Sequence, residues 1–221
     1  MYKCVLFDMD GTLVNSYEGI FNSYQYTMGK MGNNFEGHEF VRNAIGAPLL
    51  FVFEKLCEMD KEKALQAVDY YRSYYAKKGK YQVKAYDGIK ETLEKLKKSG
   101  YIIGTATLKN ETFAKEILEE LELLSYFDIV CGMDKDNRLT KAAIIRLCMK
   151  HANTSHNETI LVGDSEFDAI GAKEAGIDFL AVTYGFGFKD QKSLKDYNVA
   201  MVAENAYDIA KLLCEKETVK N

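Results

Sequence analysis

Phe7-Asp8-Met9-Asp10-Gly11-Thr12-Leu13-Val14 closes an apolar run, Cys4-Val5-Leu6-Phe7, that predicts a short buried strand. The two carboxylates stand two residues apart, which on an extended backbone puts them on one side of the chain. Gly11 permits a sharp turn directly after them, and the Thr12 hydroxyl lies within reach of anything bound there. Carboxylates held this close repel each other, so the segment calls for a cation or a shared proton. Paired acids at a strand end suit metal-assisted phosphoryl chemistry, with one acid as nucleophile and the other as proton donor. Asp-Gly is also common in solvated turns, and this segment alone leaves that alternative open.

A second segment removes the alternative. Thr159-Ile160-Leu161-Val162-Gly163-Asp164-Ser165-Glu166-Phe167-Asp168 repeats the design, with an apolar strand, a glycine and then acids. Asp164 stands at the strand end, and Asp168 follows four residues on, where a helix begins and such positions share a face. Between the acidic segments come Gly104-Thr105-Ala106-Thr107, after the strand Tyr101-Ile102-Ile103, and Lys141 in Arg138-Leu139-Thr140-Lys141. With these four segments in order, the chain resembles the haloacid dehalogenase superfamily of phosphohydrolases over about residues 3 to 215.

Within that superfamily, Val83-Lys84-Ala85-Tyr86-Asp87-Gly88-Ile89 and Thr107-Leu108-Lys109-Asn110-Glu111 resemble the phosphoglycolate phosphatase-like branch. Ala44-Ile45-Gly46-Ala47-Pro48-Leu49 and Val182-Thr183-Tyr184-Gly185-Phe186-Gly187 point the same way. The chain departs from that pattern at Leu108, where relatives often carry a small hydroxyl residue, and at Asn110, where they often carry proline. Neither departure touches the acids, so both bear on substrate rather than on chemistry.

An apolar fraction of 47% and a charged fraction of 28% suit a water-soluble globular chain. A net charge of -4 argues against nucleic acid as the main partner, and no apolar run approaches the roughly 18 residues of a membrane span. Met1-Tyr2-Lys3-Cys4 runs straight into the first strand, so no signal peptide is expected. The 5 cysteines include no Cys-x-x-Cys pair, which favours buried free thiols in a reducing compartment, hence a cytoplasmic protein. The 3 histidines form no zinc-type cluster.

Strand patterns fall at 3–8, 101–106, 127–131, 159–163, 178–182 and 199–202, with helical patterns at 87–99, 110–122, 139–151, 166–175 and 205–215 between them. That alternation predicts an α/β fold, a doubly wound (Rossmann-like) parallel sheet with helices on both faces. Residues 15–83 break it with helical periodicities at 16–31, 36–43, 49–58 and 62–79, and Pro48 suits the start of the third. The resemblance makes this stretch an inserted all-helical cap domain, 15–83, on an α/β catalytic core of 1–14 and 84–221. It also implies the strand order 5-4-1-2-3, in which the first and fourth strands lie side by side. Ligands bind open α/β sheets at such a switch point, outside the carboxyl ends of the strands.

The resemblance assigns the roles. Asp8 attacks phosphorus to form an aspartyl-phosphate, and a carboxylate is nucleophilic at neutral pH without a base. Asp10 protonates the leaving alkoxide and then activates water. Mg²⁺ is held by Asp8, Asp164 and the backbone carbonyl of Asp10, hard oxygen ligands that suit the ion. Asp168 orients the metal shell or pairs with Lys141. Thr107 bonds a phosphate oxygen, and Lys141 neutralises the phosphoryl group and Asp8. Lys109 either caps the pocket or lies in water, and Arg42 and Gly46 match a cap loop that meets substrate in relatives. Tyr70, Tyr71, Tyr74 and Tyr75 form i, i+4 pairs that either pack a helical bundle or stack on a nucleobase.

The expected activity is Mg²⁺-dependent hydrolysis of a small phosphate ester: phosphoglycolate, a nucleotide or a sugar phosphate. Asp10, the acid/base of the phosphatases, disfavours a dehalogenase. A phosphomutase of the same branch (β-phosphoglucomutase-like) shares every motif, and a catalytically idle binding protein is the alternative from another class. Oligomeric state is open.

Overall fold

Strand β1, Cys4–Phe7, is buried at all four positions, as a central parallel strand covered on both faces must be. The computed structural model describes residues 1–35, 37–135 and 138–214 and, within these, leaves the Asn43 side chain undescribed. The first residue of the helix expected over 36–43 and the last of that over 205–215 lie outside the described residues. The chain divides into two compact units, Met1–Asn15 with Ala85–Asn221, and Ser16–Lys84. It leaves the first unit at β2 (Val14–Asn15) and returns at β3 (Lys84–Ala85).

The inserted unit is helical: α1 (Tyr17–Met31), α2 (His38–Ala44), α3 (Leu49–Phe51) and α4 (Lys61–Lys77). Gly19 on α1 lets the backbone approach closely, since a Cβ there would lie 2.0 Å from the Gly79 carbonyl oxygen. Tyr24, 1% exposed, is ringed by Phe40, Phe53 and Tyr71. Tyr71 stacks on Tyr75, and Tyr74 lies against Tyr26, so three of the four clustered tyrosines pack within this unit. The helix expected over 49–58 is α3 followed by a π-helical turn, Val52–Leu56. Apolar periodicity over five residues does not distinguish 3.6 from a wider turn.

The other unit continues with α5 (Ile89–Lys98), β4 (Ile102–Asn110), α6 (Glu111–Glu120), β5 (Ile129–Met133) and α7 (Lys141–Ala152). It closes with β6 (Thr159–Gly163), α8 (Glu166–Ala175), β7 (Asp178–Val182), β8 (Met201–Ala203) and α9 (Ala206–Cys214). Its six strands form one sheet in the order β5-β4-β1-β6-β7-β8, parallel at every pairing. This is the doubly wound α/β fold, with β1 flanked by β4 and β6 at the switch point. Cys4 and Leu6 face a core layer shared with Ile144, Ile145, Cys148 and Ala172 of α7 and α8. Strand alternation turns Val5 and Phe7 to the opposite face, and α5 and α9 pack together.

One strand runs further than its apolar pattern suggests. β4 continues past Ala106 to Asn110, with an irregularity in its register against β5 between those residues. Of the added residues Thr107 is buried and Leu108, Lys109 and Asn110 are half-buried, and the four together are less apolar, so hydropathy alone did not mark them. α6 therefore starts at Glu111, where the Asn110 side chain accepts from the N–H groups of Thr112 (3.1 Å) and Phe113 (3.4 Å). Asn110, one of the two residues that depart from the branch pattern, is thus a helix cap.

Candidate active site

Phe7 pairs with Val162 across β1 and β6, so both acidic segments leave the sheet at one edge. The Asp8 N–H donates to the Val162 carbonyl at 2.9 Å, and the turn then folds back as Thr12, Leu13 and Val14 N–H groups reach the Met9 carbonyl. Gly11 holds φ at +88°, and a Cβ there would lie 2.2 Å from Asp164 Oδ2. Only glycine meets both demands.

Asp8, Asp164 and Asp168 are 6%, 2% and 1% exposed, and each offers an oxygen within 4.8 Å of the others. Lys141 Nζ bridges two of them, at 2.6 Å from Asp8 Oδ1 and 2.5 Å from Asp168 Oδ1. Asp168 Oδ2 accepts from the N–H (3.0 Å) and hydroxyl (2.6 Å) of Ser165, the cap residue of α8. Both Asp168 oxygens thus have protein partners. Asp164 Oδ2 accepts from the N–H groups of Phe186 and Gly187 at 2.7 and 3.0 Å. Lys109 Nζ sits 2.9 Å from Asp10 Oδ2 with both side chains largely buried, and its backbone N–H donates to Thr107 Oγ1 at 3.2 Å. The structure therefore gathers Asp8, Lys141, Asp164 and Asp168 into one cluster, and it links Asp10 to Lys109 and Thr107 as a second group on the same strand ends.

Burial, reinforced by Asp168 and Asp8, pushes the Asp164 carboxyl up to about 8, against the pull of its two backbone donors. Burial also raises Asp8, to about 6, with Lys141 opposing it. For Lys141 burial disfavours the ammonium, but Asp168 and Asp8 outweigh it and raise the pKa. Among the described residues, Lys141 is the cation paired with this cluster, bridging Asp8 and Asp168 while Asp164 is held by backbone N–H groups, which leaves a deficit of positive charge among hard oxygen donors. That donor set fits a Mg²⁺-like ion.

Arg42 lies exposed on α2 and Gly46 takes φ +88° just beyond it, both in the helical unit. Arg42 makes no ion pair with another described residue. Sequence reasoning passed over Ser165, although Ser165-x-x-Asp168 is a capping-box pattern, and over Gly171. A Cβ on Gly171 would lie 2.4 Å from Lys141 Cγ, so this glycine makes room for the lysine stem. It also passed over the backbone donors at 186 and 187, which no residue type signals.

Residues 5–182 match the family model of the haloacid dehalogenase-like hydrolases. The chain belongs to that family. A 5'-nucleotidase of Pseudomonas aeruginosa is 32% identical over 191 residues, 86% of each chain. A phosphoglycolate phosphatase of Pseudomonas savastanoi is 32% identical over 220 residues, 96% of this chain and 78% of that one. The crystal structure of a predicted phosphatase from Clostridium acetobutylicum superposes with a TM-score of 0.92 at 37% identity, covering 97% of this chain and 99% of that one. On these matches this haloacid dehalogenase-like hydrolase is an enzyme of the phosphatase type. No helix among its described residues is long and apolar enough to cross a membrane.

Proposed function

We propose that the enzyme hydrolyses a small phosphate monoester in a Mg²⁺-dependent reaction that passes through an aspartyl-phosphate on Asp8. One observation carries the reading: buried Asp8, Asp164 and Asp168 offer oxygens within 4.8 Å of one another, and the Lys141 ammonium bridges two of them. Asp8 and Asp164, with the Asp10 carbonyl, would hold Mg²⁺, which when bound supplies charge neutralisation for the phosphoryl oxygens. Asp8 Oδ1 is taken by Lys141, so Oδ2 attacks phosphorus. Asp10 donates a proton to the leaving oxygen and then takes one from water, while Thr107 and Lys141 bind phosphoryl oxygens. Relatives named for a 5'-nucleotide and for phosphoglycolate support a small ester as the substrate class.

Phosphate release from a panel of monoesters, with and without metal, tests this. Excess EDTA is expected to stop turnover and Mg²⁺ to restore it; undiminished release in EDTA refutes the metal assignment. The pH dependence has a definite sign. Asp8 at about 6 and Asp164 at about 8 lie above the unfolded-state value of about 3.9. The metal-free fold therefore loses stability as pH rises from about 4 to about 8. A cation that binds these carboxylates removes that loss. Mg²⁺ is expected to raise Tm more at pH 8.5 than at pH 5.5, and an equal or reversed difference rejects the assignment.

The proposal extends to the helical unit Ser16–Lys84, which we assign the choice of leaving group, with Lys109, Arg42 and Gly46 as substrate-binding positions. Arg42 carries the test, being exposed and making no ion pair with another described residue. Arg42→Ala is expected to reorder rates across the panel while leaving a generic aryl phosphate little changed. A uniform fall for every ester makes Arg42 structural.

A further inference from the structure

After β7 the chain does not proceed directly to its next strand but turns back over the strand ends. The Tyr184 hydroxyl donates to the Thr12 carbonyl at 2.7 Å. Two residues on, the Phe186 and Gly187 N–H groups hold Asp164 Oδ2, and the Phe188 N–H donates to the Asp164 carbonyl at 2.7 Å. Gly185 allows the contact: a Cβ there would lie 2.3 Å from the Gly11 carbonyl oxygen and 2.4 Å from Asp164 Oδ2. Phe188, 5% exposed, anchors the segment between the rings of Phe179 and Tyr197. Tyr184 itself stands edge-on to Tyr86, whose N–H donates to the Leu13 carbonyl.

One five-residue segment thus grips both acidic turns by separate bonds. Its amides hold Asp164, whose carboxylate lies with those of Asp8 and Asp168. Its tyrosine fixes the turn that carries Asp8 and Asp10. The turn is closed on itself by N–H groups that reach the Met9 carbonyl, and the Tyr184 hydroxyl ties its Thr12 carbonyl to the segment that holds Asp164. We propose that Tyr184 is a positioning residue for the divalent-cation site, setting the first acidic turn at the correct distance from Asp164. This inference rests on the metal-dependent reading above. Groups that orient the ligands of a metal commonly govern its affinity by about 10- to 100-fold.

The test is Mn²⁺ binding to the full-length protein, followed by electron paramagnetic resonance, alongside steady-state kinetics. Tyr184→Phe keeps the ring and loses the hydroxyl. It is expected to bind Mn²⁺ about tenfold more weakly, to recover kcat at saturating Mg²⁺, and to leave KM for the ester unchanged. Tyr184→Gln, which restores a donor, is expected to regain part of the affinity and serves if the phenylalanine variant does not fold. Wild-type Mn²⁺ affinity in both folded variants overturns the inference, as does a lowered Tm with unaltered affinity. The underlying reading fails differently: Asp164→Asn would then bind Mn²⁺ as tightly as wild type.

Discussion

Asp8→Asn is expected to abolish turnover and the pre-steady-state burst, whereas Asp10→Asn is expected to keep a burst on an aryl phosphate. Asp8 is the acid that Lys141 holds at 2.6 Å by one oxygen, and in the proposed reaction the other attacks phosphorus. An amide there has no nucleophilic oxygen anion, and the neighbouring carboxylates are engaged elsewhere: Asp168 by Lys141 and Ser165, Asp164 by two backbone donors. Asp10 pairs with Lys109 at 2.9 Å, and in the proposed reaction it serves the leaving oxygen rather than phosphorus. General acid catalysis contributes about 10²–10⁴-fold, so Asp10→Asn is expected to be slowed by that factor on alkyl phosphates. A phenolate leaves without a proton, so the first half-reaction survives on an aryl ester. The second half lacks its base, and phosphoenzyme accumulates. Rapid-quench measurement of released phenol decides the matter: equal bursts in both variants, or a burst only in Asp8→Asn, reverses the roles.

The strands that build the site were legible because central parallel strands are buried on both faces and read as unbroken apolar runs, as in Cys4–Phe7 and Ile160–Val162. The acids were legible because Asp8 follows such a run directly and Asp164 follows one after Gly163, with Asp10 and Asp168 a few residues on. What lay beyond reach was set by contacts distant in sequence. Lys109 showed two open readings, in water or over the pocket, because its partner Asp10 lies on another strand's loop. The extension of β4 to Asn110 depends on pairing with Met133, not on its own hydropathy. The hold on Asp164 comes from N–H groups of Phe186 and Gly187, and every residue but proline carries one. Ser165 is the instructive case. Its spacing to Asp168 was visible, but attention to the acids as ligands hid the cap that commits one Asp168 oxygen to helix α8.

Lys141→Met is expected to cost both stability and rate. Lys141 is the first residue of α7, where the helix dipole disfavours a cation. Its place there is compelled by the two carboxylates it bridges and permitted by Gly171, which leaves space for the stem. Methionine fills similar volume but leaves Asp8 and Asp168 buried without their ammonium. Breaking a buried pair by removing one partner costs about 3–5 kcal/mol. Urea unfolding at pH 7.5 without metal is expected to show a loss of that order. The loss is expected to shrink at pH 5, where protonation relieves the repulsion. Mg²⁺ is expected to return part of the stability, since it neutralises the same carboxylates, but not the rate. A donor aimed at transferring oxygens contributes about 10²–10³-fold, and methionine supplies no donor in the place between Asp8 and Asp168 that Lys141 fills. A variant within about 1 kcal/mol of wild type, the range of ordinary point substitutions, would show that the carboxylates are neutralised by protons rather than by Lys141. Full activity at saturating Mg²⁺ would remove the lysine from the phosphoryl-binding set.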